Sequence, residues 1–224
     1  MVGFDFKKWK KNKLNNGKWL SKKEYKKTKR KKKDFNKFKN LFKDTSRKII
    51  FDTETTGLGN KDRIIEICLW EIIDDIKTDN FLHFYFNPQM KVPEEAVNIH
   101  SLDNDFLKDK PLFEDKYEEI INFIDDSNLI AHNASFDRRM LNNELRRLDQ
   151  NVFPKHNFID TLKIARYLYP GEKNNQDILC QRFELLPNDR EIHSAKQDVE
   201  LLYQIYINLK HLLTGKEITD FFLY

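Results

Sequence analysis

An apolar run that ends in two acids is the feature that most constrains the fold. Ile49-Ile50-Phe51 is followed directly by Asp52-Thr53-Glu54-Thr55-Thr56-Gly57. Alternate residues of a strand share a face, so Asp52 and Glu54 point the same way. Burying two like charges side by side is costly unless cations neutralise them, and the pair therefore predicts a divalent-metal site at a strand end. Two solvated acids are the alternative that this pair alone leaves open.

Charge divides the chain into two parts. Residues 1–48 hold 20 Lys/Arg against 4 Asp/Glu, a net charge of +16, whereas the remaining residues hold 20 against 32. The overall charge of +4 thus conceals a basic arm joined to an acidic domain. We expect three regions: a lysine-rich arm over residues 1–46, a globular domain over 47–213 and a tail over 214–224.

Other compositional features narrow the class of protein. The chain has only two cysteines and no CxxC spacing, which speaks against a disulfide framework or a thiolate zinc site. No apolar run approaches the length of a membrane span. We expect an intracellular protein without membrane contact, in the cytoplasm or nucleoid. The cluster at 26–33 leaves nuclear import open.

Strands precede helices along the acidic part. Periodicity predicts strands over 48–53, 64–73, 80–87 and 128–132, with turn material at 74–75 and 78–79. Helical spacing predicts helices over 113–124, 136–148, 161–168, 176–183 and 194–213. This order indicates an α/β fold in which helices pack on a mixed sheet.

Two further acids lie where the predicted fold would bring them beside Asp52 and Glu54. Asp137 comes just after a predicted strand, in Leu129-Ile130-Ala131-His132-Asn133-Ala134-Ser135-Phe136-Asp137. Asp198 lies one turn into the last predicted helix, and His193 stands just before that helix. Four carboxylates and one histidine, brought together by such a fold, make a more specific pattern than the first pair alone.

The three motifs Asp52-x-Glu54, His132-Asn133-x-x-Phe136-Asp137 and His193-x4-Asp198, in this order, resemble those of the DEDDh superfamily of DnaQ-like 3′→5′ exonucleases. The resemblance covers about Arg47 to Leu213. It implies a ribonuclease H-like fold with a mixed five-stranded sheet. Within the superfamily, the chain is most similar to proofreading subunits of bacterial DNA polymerases.

The resemblance also implies roles for these residues. Asp52, Glu54 and Asp198 would hold one Mg²⁺ or Mn²⁺ ion, and Asp52 would bridge to a second ion near Asp137. Two such ions about 4 Å apart can activate water and support the leaving oxygen. His193 would act as the general base, a role worth about 10²–10⁴-fold in rate.

The remaining candidate residues concern the substrate and partners. By this resemblance, Leu58 and His100 occupy positions that line the pocket of the terminal nucleotide, with a core or loop role as the alternative. Thr53 and Thr55 could donate hydrogen bonds to that nucleotide, although threonine is also ordinary in a strand. Asn133 is a further substrate-binding candidate, but bracing the loop that presents Asp137 is the favoured interpretation.

Lysines and aromatics in the arm are typical of a nucleic-acid tether, with import or solubility as alternatives. The tail resembles a sliding-clamp-binding peptide through Ile218, Phe221 and Phe222, but Gly215 stands where glutamine is expected.

Together these features predict a metal-dependent 3′→5′ exonuclease that acts on single-stranded DNA in proofreading, replication or repair. A DNA polymerase and a sliding clamp are the candidate protein partners. One alternative is an RNA 3′ exonuclease or oligoribonuclease, because sequence does not expose the contacts that distinguish the sugars. A second alternative is a non-catalytic factor that binds nucleic acid or docks on a clamp.

Overall fold

The structure, a computed structural model, describes residues 47–152, 158–185 and 193–214. One compact unit spans Thr45–Leu209. The arm and the candidate clamp peptide lie outside the described residues. The elements are β1 Lys48–Thr55, β2 Ile64–Ile73, β3 Ile76–Tyr85, α1 Glu94–His100, α2 Asn104–Leu107, a 3-10 turn Phe113–Asp115, α3 Tyr117–Ile124, β4 Asn128–Ala131, α4 Ala134–Arg147, β5 Phe158–Asp160, α5 Thr161–Leu168, α6 Gln176–Arg182 and α7 Ala195–Thr214.

The five strands form one mixed sheet in the order β3-β2-β1-β4-β5. The β1–β2 and β2–β3 pairs are antiparallel, whereas β1–β4 and β4–β5 are parallel. The mixed five-stranded sheet flanked by helices is therefore confirmed. Because β1, β4 and β5 run the same way, their carboxyl ends meet at one edge of the sheet.

The central strand is buried because its apolar residues contact helices. Ile49 and Phe51 are fully buried and share a core cluster with Ile120 of α3 and Leu141 of α4. This burial fixes the register of β1, since a slip by one residue would turn Asp52 into the apolar face. Within the part of the chain that the structure describes, no helix is long and apolar enough to cross a membrane.

The β2–β3 hairpin differs from the sequence prediction. β3 begins at Ile76, so the prediction of turn material at 78–79 and of a strand start at 80 was wrong. The turn consists of Asp74 and Asp75 alone, whose φ values are 52° and 64°. Two consecutive residues with positive φ match the twist of a tight hairpin, which lets pairing resume at once.

Short elements account for the other differences. The sequence prediction missed β5, α1 and α2, which have three, seven and four residues. The segment predicted as one helix over 113–124 starts as a 3-10 turn before α3. Most remaining ends differ by one or two residues, for example α4, which begins at Ala134 rather than 136.

A buried ion pair anchors α4 to the sheet. The Glu144 carboxylate is 1% exposed, and its two oxygens share the single N–H of Arg63 Nε, at 2.9 and 3.0 Å. It also accepts from the backbone N–H of Ile64, at 3.1 Å, and lies 3.0 Å from Arg147 Nη1. These bonds hold α4, which carries Asp137, against the start of β2.

Replacing Glu144 by alanine should therefore lower the free energy of unfolding by about 3 kcal/mol, because it leaves Arg63 without its buried partner. Glu114→Ala, at an exposed site on the 3-10 turn, is the matched control, with an expected change within about 0.5 kcal/mol. Urea unfolding measures both variants. Equal stability of the two would show that the ion pair does not anchor the helix.

Candidate active site

The carboxyl end of β1 presents the first two acids. Asp52 and Glu54 are partly exposed and alternate with the buried Thr53 and Thr55. The pairing register places Asp52 opposite Cys68 and Glu54 opposite Glu66 on β2. A register irregularity follows between Glu54 and Thr55. The strand thus delivers both carboxylates to the sheet edge where β1, β4 and β5 end.

The last helix supplies the third acid. Asp198 lies in the first turn of α7 and is 5% exposed. One ligand oxygen from each of Asp52, Glu54 and Asp198 lies within 4.8 Å of the other two. Gln176 of α6 fixes Asp198, since its Nε2 donates to Asp198 Oδ1 at 2.7 Å and to the Asp198 carbonyl at 3.0 Å. We call these three acids the acid cluster.

Asp137 lies beside the acid cluster rather than within it. It occupies the first turn of α4 and is 2% exposed. Its Oδ1 accepts a hydrogen bond from Thr53 Oγ1 at 2.9 Å. Thr53 therefore links β1, which carries Asp52 and Glu54, to α4, which carries Asp137. The sequence does not predict this contact.

Burial and mutual repulsion shape the electrostatics of these acids. Desolvation first, and then the charges of Asp137, Asp198 and Glu54, raise the pKa of Asp52 well above its ordinary value. Burial raises the pKa of Asp137 from 3.8 to about 7, against the hydrogen bond from Thr53, which lowers it. Both shifts reflect a negative charge that is costly without a cation.

The donor set fits a divalent cation. All the ligand atoms are carboxylate oxygens, which are hard donors of the kind that Mg²⁺ and Mn²⁺ prefer. A cation would offset the repulsion that raises the pKa of Asp52. Asp52, Glu54 and Asp198 are the residues that would hold it, with Asp137 close by.

His193 is positioned next to the acid cluster. Its Nδ1 lies 3.4 Å from Asp198 Oδ2, and its Nε2 lies 3.7 Å from Asp177 Oδ2. The His193 backbone N–H donates to the Ile99 carbonyl at 3.0 Å. The histidine thus enters the site from the segment before α7, as the motif predicts, and its backbone is tied to α1.

A buried carboxylate beneath this segment was not predicted as part of the site. Glu66 of β2 is fully buried, and its Oε1 accepts from Ser194 Oγ at 3.1 Å and lies 2.7 Å from His83 Nε2. Ser194 directly follows His193, so Glu66 anchors the loop that carries the histidine. In the sequence, the one indication of this role was that Glu66 is a lone acid inside an apolar strand. Nothing in the sequence marks Gln176 or Asp177 as part of the site.

The residues predicted to bind substrate lie at several places in the structure. Leu58 is 77% exposed in the loop after β1. His100 is 4% exposed, and its Nδ1 accepts from the Leu102 backbone N–H at 3.0 Å. Thr55 Oγ1 donates to the Gly57 carbonyl at 2.8 Å. These contacts stabilise local backbone, and the roles in substrate binding stay predictions.

Asn133 has a structural role at the start of α4. It precedes the helix in the left-handed conformation, with φ 65°. Its backbone N–H donates to Asp160 Oδ1 at 3.2 Å, and its side chain accepts from Ser135 Oγ at 3.1 Å. His132 Nδ1 lies 3.0 Å from Thr161 Oγ1. Both residues thus brace the loop that presents Asp137.

Comparison with known proteins places this geometry in a family. The family model described as Exonuclease matches residues 49–206. The DNA polymerase III subunit epsilon of Rickettsia conorii is 45% identical over 168 residues, which cover 73% of this chain and 73% of that protein. The epsilon subunit of Buchnera aphidicola subsp. Acyrthosiphon pisum is 43% identical over 179 residues, covering 75% and 73%.

A solved structure agrees with this placement. The structure of exonuclease X in complex with 5′ overhanging duplex DNA has a TM-score of 0.58 and 27% identity. The match covers 79% of this chain and 99% of the other. The similarity therefore extends over nearly all of that exonuclease.

The chain belongs to the exonuclease family and is a 3′→5′ exonuclease of the DEDDh, DnaQ-like type, whose substrate is nucleic acid. Within the family it resembles the epsilon subunit of DNA polymerase III. Members of the family generally use divalent metal ions, and the acid cluster is where this chain would hold them.

Asp137 should make the metal-free protein less stable as the pH rises. Its pKa of about 7 exceeds the ordinary 3.8, so the folded state keeps a proton that the unfolded chain loses as pH rises from about 4 to about 7. In EDTA, the wild type should therefore lose thermal stability relative to Asp137→Asn across this window.

Differential scanning fluorimetry of wild type, Asp137→Asn and the exposed-site control Asp126→Asn measures this dependence. Mg²⁺ should also raise the wild-type melting temperature more at pH 8 than at pH 5, because protons compete for the same carboxylates. A wild type that gains stability relative to Asp137→Asn as pH rises would contradict the argument.

Proposed function

We propose that this exonuclease removes nucleotides one at a time from the 3′ end of single-stranded DNA, using two Mg²⁺ or Mn²⁺ ions, and that it proofreads for a DNA polymerase. The observation that carries this proposal is the convergence of Asp52, Glu54 and Asp198 within 4.8 Å, with His193 beside Asp198. The identity to epsilon subunits of DNA polymerase III favours DNA and a polymerase partner.

Each acid has an assigned role. The charges of both Glu54 and Asp137 act on Asp52, so Asp52 is the acid that would serve both ions. Glu54 and Asp198 would hold one ion, and Asp137 would support the other. When bound, the ions supply Lewis acidity, which makes water a better nucleophile and offsets charge on the phosphate and the departing 3′ oxygen.

His193 is assigned as the general base. It is partly exposed, with 31% of its side chain accessible, so an attacking water can reach the ring. The Asp198 carboxylate near Nδ1 orients the imidazole and attracts the charge that it gains with the proton. The backbone bond to Ile99 and the Ser194–Glu66 bond hold the ring in place.

The terminal nucleotide would be bound by the residues around the end of β1. Leu58 offers an exposed apolar side chain on which a base can pack. His100 is buried at the end of α1, just before the turn to α2. Thr53 and Thr55 lie at the end of β1, and the exposed Asn133 follows β4 at the same edge of the sheet. The arm, residues 1–46, would add phosphate contacts, and the tail with Ile218, Phe221 and Phe222 would reach a clamp.

The test measures which end is cut and which sugar is preferred. Purified protein with Mg²⁺ should release mononucleotides from the 3′ end of labelled single-stranded DNA, at least about tenfold faster than from RNA of the same sequence, the factor expected from about 1.4 kcal/mol of discrimination. His193→Ala should lower kcat by about 10² or more. His211→Ala, near the end of α7, is the matched control and should leave the rate unchanged.

Other outcomes would select the alternatives. Faster digestion of RNA would make the chain an RNA 3′ exonuclease. Binding of single strands without shortening in Mg²⁺ or Mn²⁺ would favour the non-catalytic factor. An unchanged rate in His193→Ala would remove the histidine from the mechanism.

A further inference from the structure

Two grooves lie side by side on the part of the domain that holds β4 and β5. The first groove, about 420 Å³, is lined by residues that include His132, Asn133, Leu162, Arg166, Lys173 and Asn175. The second groove, about 340 Å³, is lined by residues that include Ala134, Arg138, Arg139, Arg146, Phe158 and Lys163. Asn133 and Leu162 of the first groove are chain neighbours of Ala134 and Lys163 of the second, so the two grooves adjoin.

The first groove begins next to the catalytic acids. Asn175 is followed directly by Gln176, which donates to Asp198. His132 follows β4, the parallel neighbour of the strand that carries Asp52. A chain leaving the acid cluster on this side would therefore enter the first groove and then the second.

The charge of the two grooves is opposite to that of the surrounding domain. Their lining carries six cations, Arg166, Lys173, Lys163, Arg138, Arg139 and Arg146, although residues 49–224 have an excess of 12 acids. The only carboxylate among their lining residues, Glu172, is paired with Arg182 at 2.8 Å. Such a local excess of positive charge favours a polyanion.

Most of these cations keep their charge available. Among the described residues, only Lys163 of the six forms an ion pair, with Asp160 at 3.3 Å. Arg139 and Arg146 donate to the neutral amide oxygens of Asn60 and Asn143. Five of the six are exposed, so contact with phosphates would require little desolvation.

The second groove also offers a surface for bases. The Arg138 guanidinium lies 5.8 Å from the centre of the Phe158 ring, which is partly exposed. Guanidinium planes and aromatic rings are the groups on which unpaired bases stack. An acidic protein segment would use the cations but would have no need of this stacking surface.

We propose that the nucleic-acid strand on the 5′ side of the cleaved nucleotide follows the first groove and then the second, with phosphates on Arg166 and Arg138 and bases against Phe158. This inference rests on the proposed single-stranded substrate. It makes the grooves a determinant of substrate length, separate from the chemistry at the acid cluster. A dinucleotide would be cut without their help, whereas a long strand would be held by them.

The experiment compares two double variants of the full chain that lose the same charge. Arg138→Gln/Arg166→Gln removes one cation from each groove, and Lys108→Gln/Lys116→Gln removes two cations outside both. Each is assayed on a dinucleotide and on a long single strand across a range of salt concentrations. The Arg138→Gln/Arg166→Gln variant should raise KM on the long strand about tenfold at low salt, with kcat and the dinucleotide rate unchanged. The slope of its log KM against log salt concentration should be smaller by about 1.4. The control pair should match the wild type.

Equal KM values and salt slopes for the two double variants on the long strand would overturn the inference. If the wild type cleaves neither substrate, the proposed function fails. In that case, fluorescence anisotropy in EDTA measures how tightly each double variant binds the long strand. A weaker and less salt-dependent affinity in the Arg138→Gln/Arg166→Gln variant alone supports the inference, and equal affinities of the two variants overturn it.

Discussion

Repulsion among four carboxylates at one edge of the sheet is the interaction on which the rest of this structure depends. Asp52 lies at the end of a central strand, among Glu54, Asp137 and Asp198, and burial together with these charges raises its pKa. A fold accepts such a cluster only if other interactions hold the acids in place. The sheet supplies two of them on one rigid strand, and helices α4 and α7 bring the others to the same edge. The repulsion that weakens the metal-free protein is what makes the site attractive to divalent cations.

Two of the four acids, and the loop that carries His193, are each held by a partner of their own. Thr53 holds Asp137, Gln176 holds Asp198, and Glu66 holds the loop of His193 through Ser194. Because these partners lie on β1, α6 and β2, a shift of any one element would move a residue of the candidate site. The Glu144–Arg63 ion pair extends this support to the far end of α4. Outside this rigid centre, the basic grooves provide a surface on which a flexible strand can settle.

Much of the centre was predictable because its signals are local. A buried strand that ends in Asp52-x-Glu54, and an acid one turn into a helix, follow from periodicity and need no partner. The supporting contacts were not predictable, since Thr53 to Asp137 and Ser194 to Glu66 join residues 84 and 128 positions apart.

Strand β5 was missed because a strand of three residues is too short to show a periodic pattern. The start of β3 was misplaced because Asp74 and Asp75 close the hairpin alone, and the strand then runs on through Thr78 past a shift in its register with β2. The basic grooves escaped notice because their cations come from helices α4 and α5 and the loop beyond, and converge only in three dimensions.

The most direct test of the account is an equilibrium titration with Mn²⁺, which counts the ions bound and their affinity in wild type, Asp198→Asn and the nearby control Asp177→Asn. We expect two ions in the wild type. Asp198→Asn should lose affinity at least about tenfold, since a charged ligand is removed from the centre, and Asp177→Asn should change it much less. Unchanged Mn²⁺ affinity in Asp198→Asn would contradict the claim that Asp52, Glu54 and Asp198 together form the metal site.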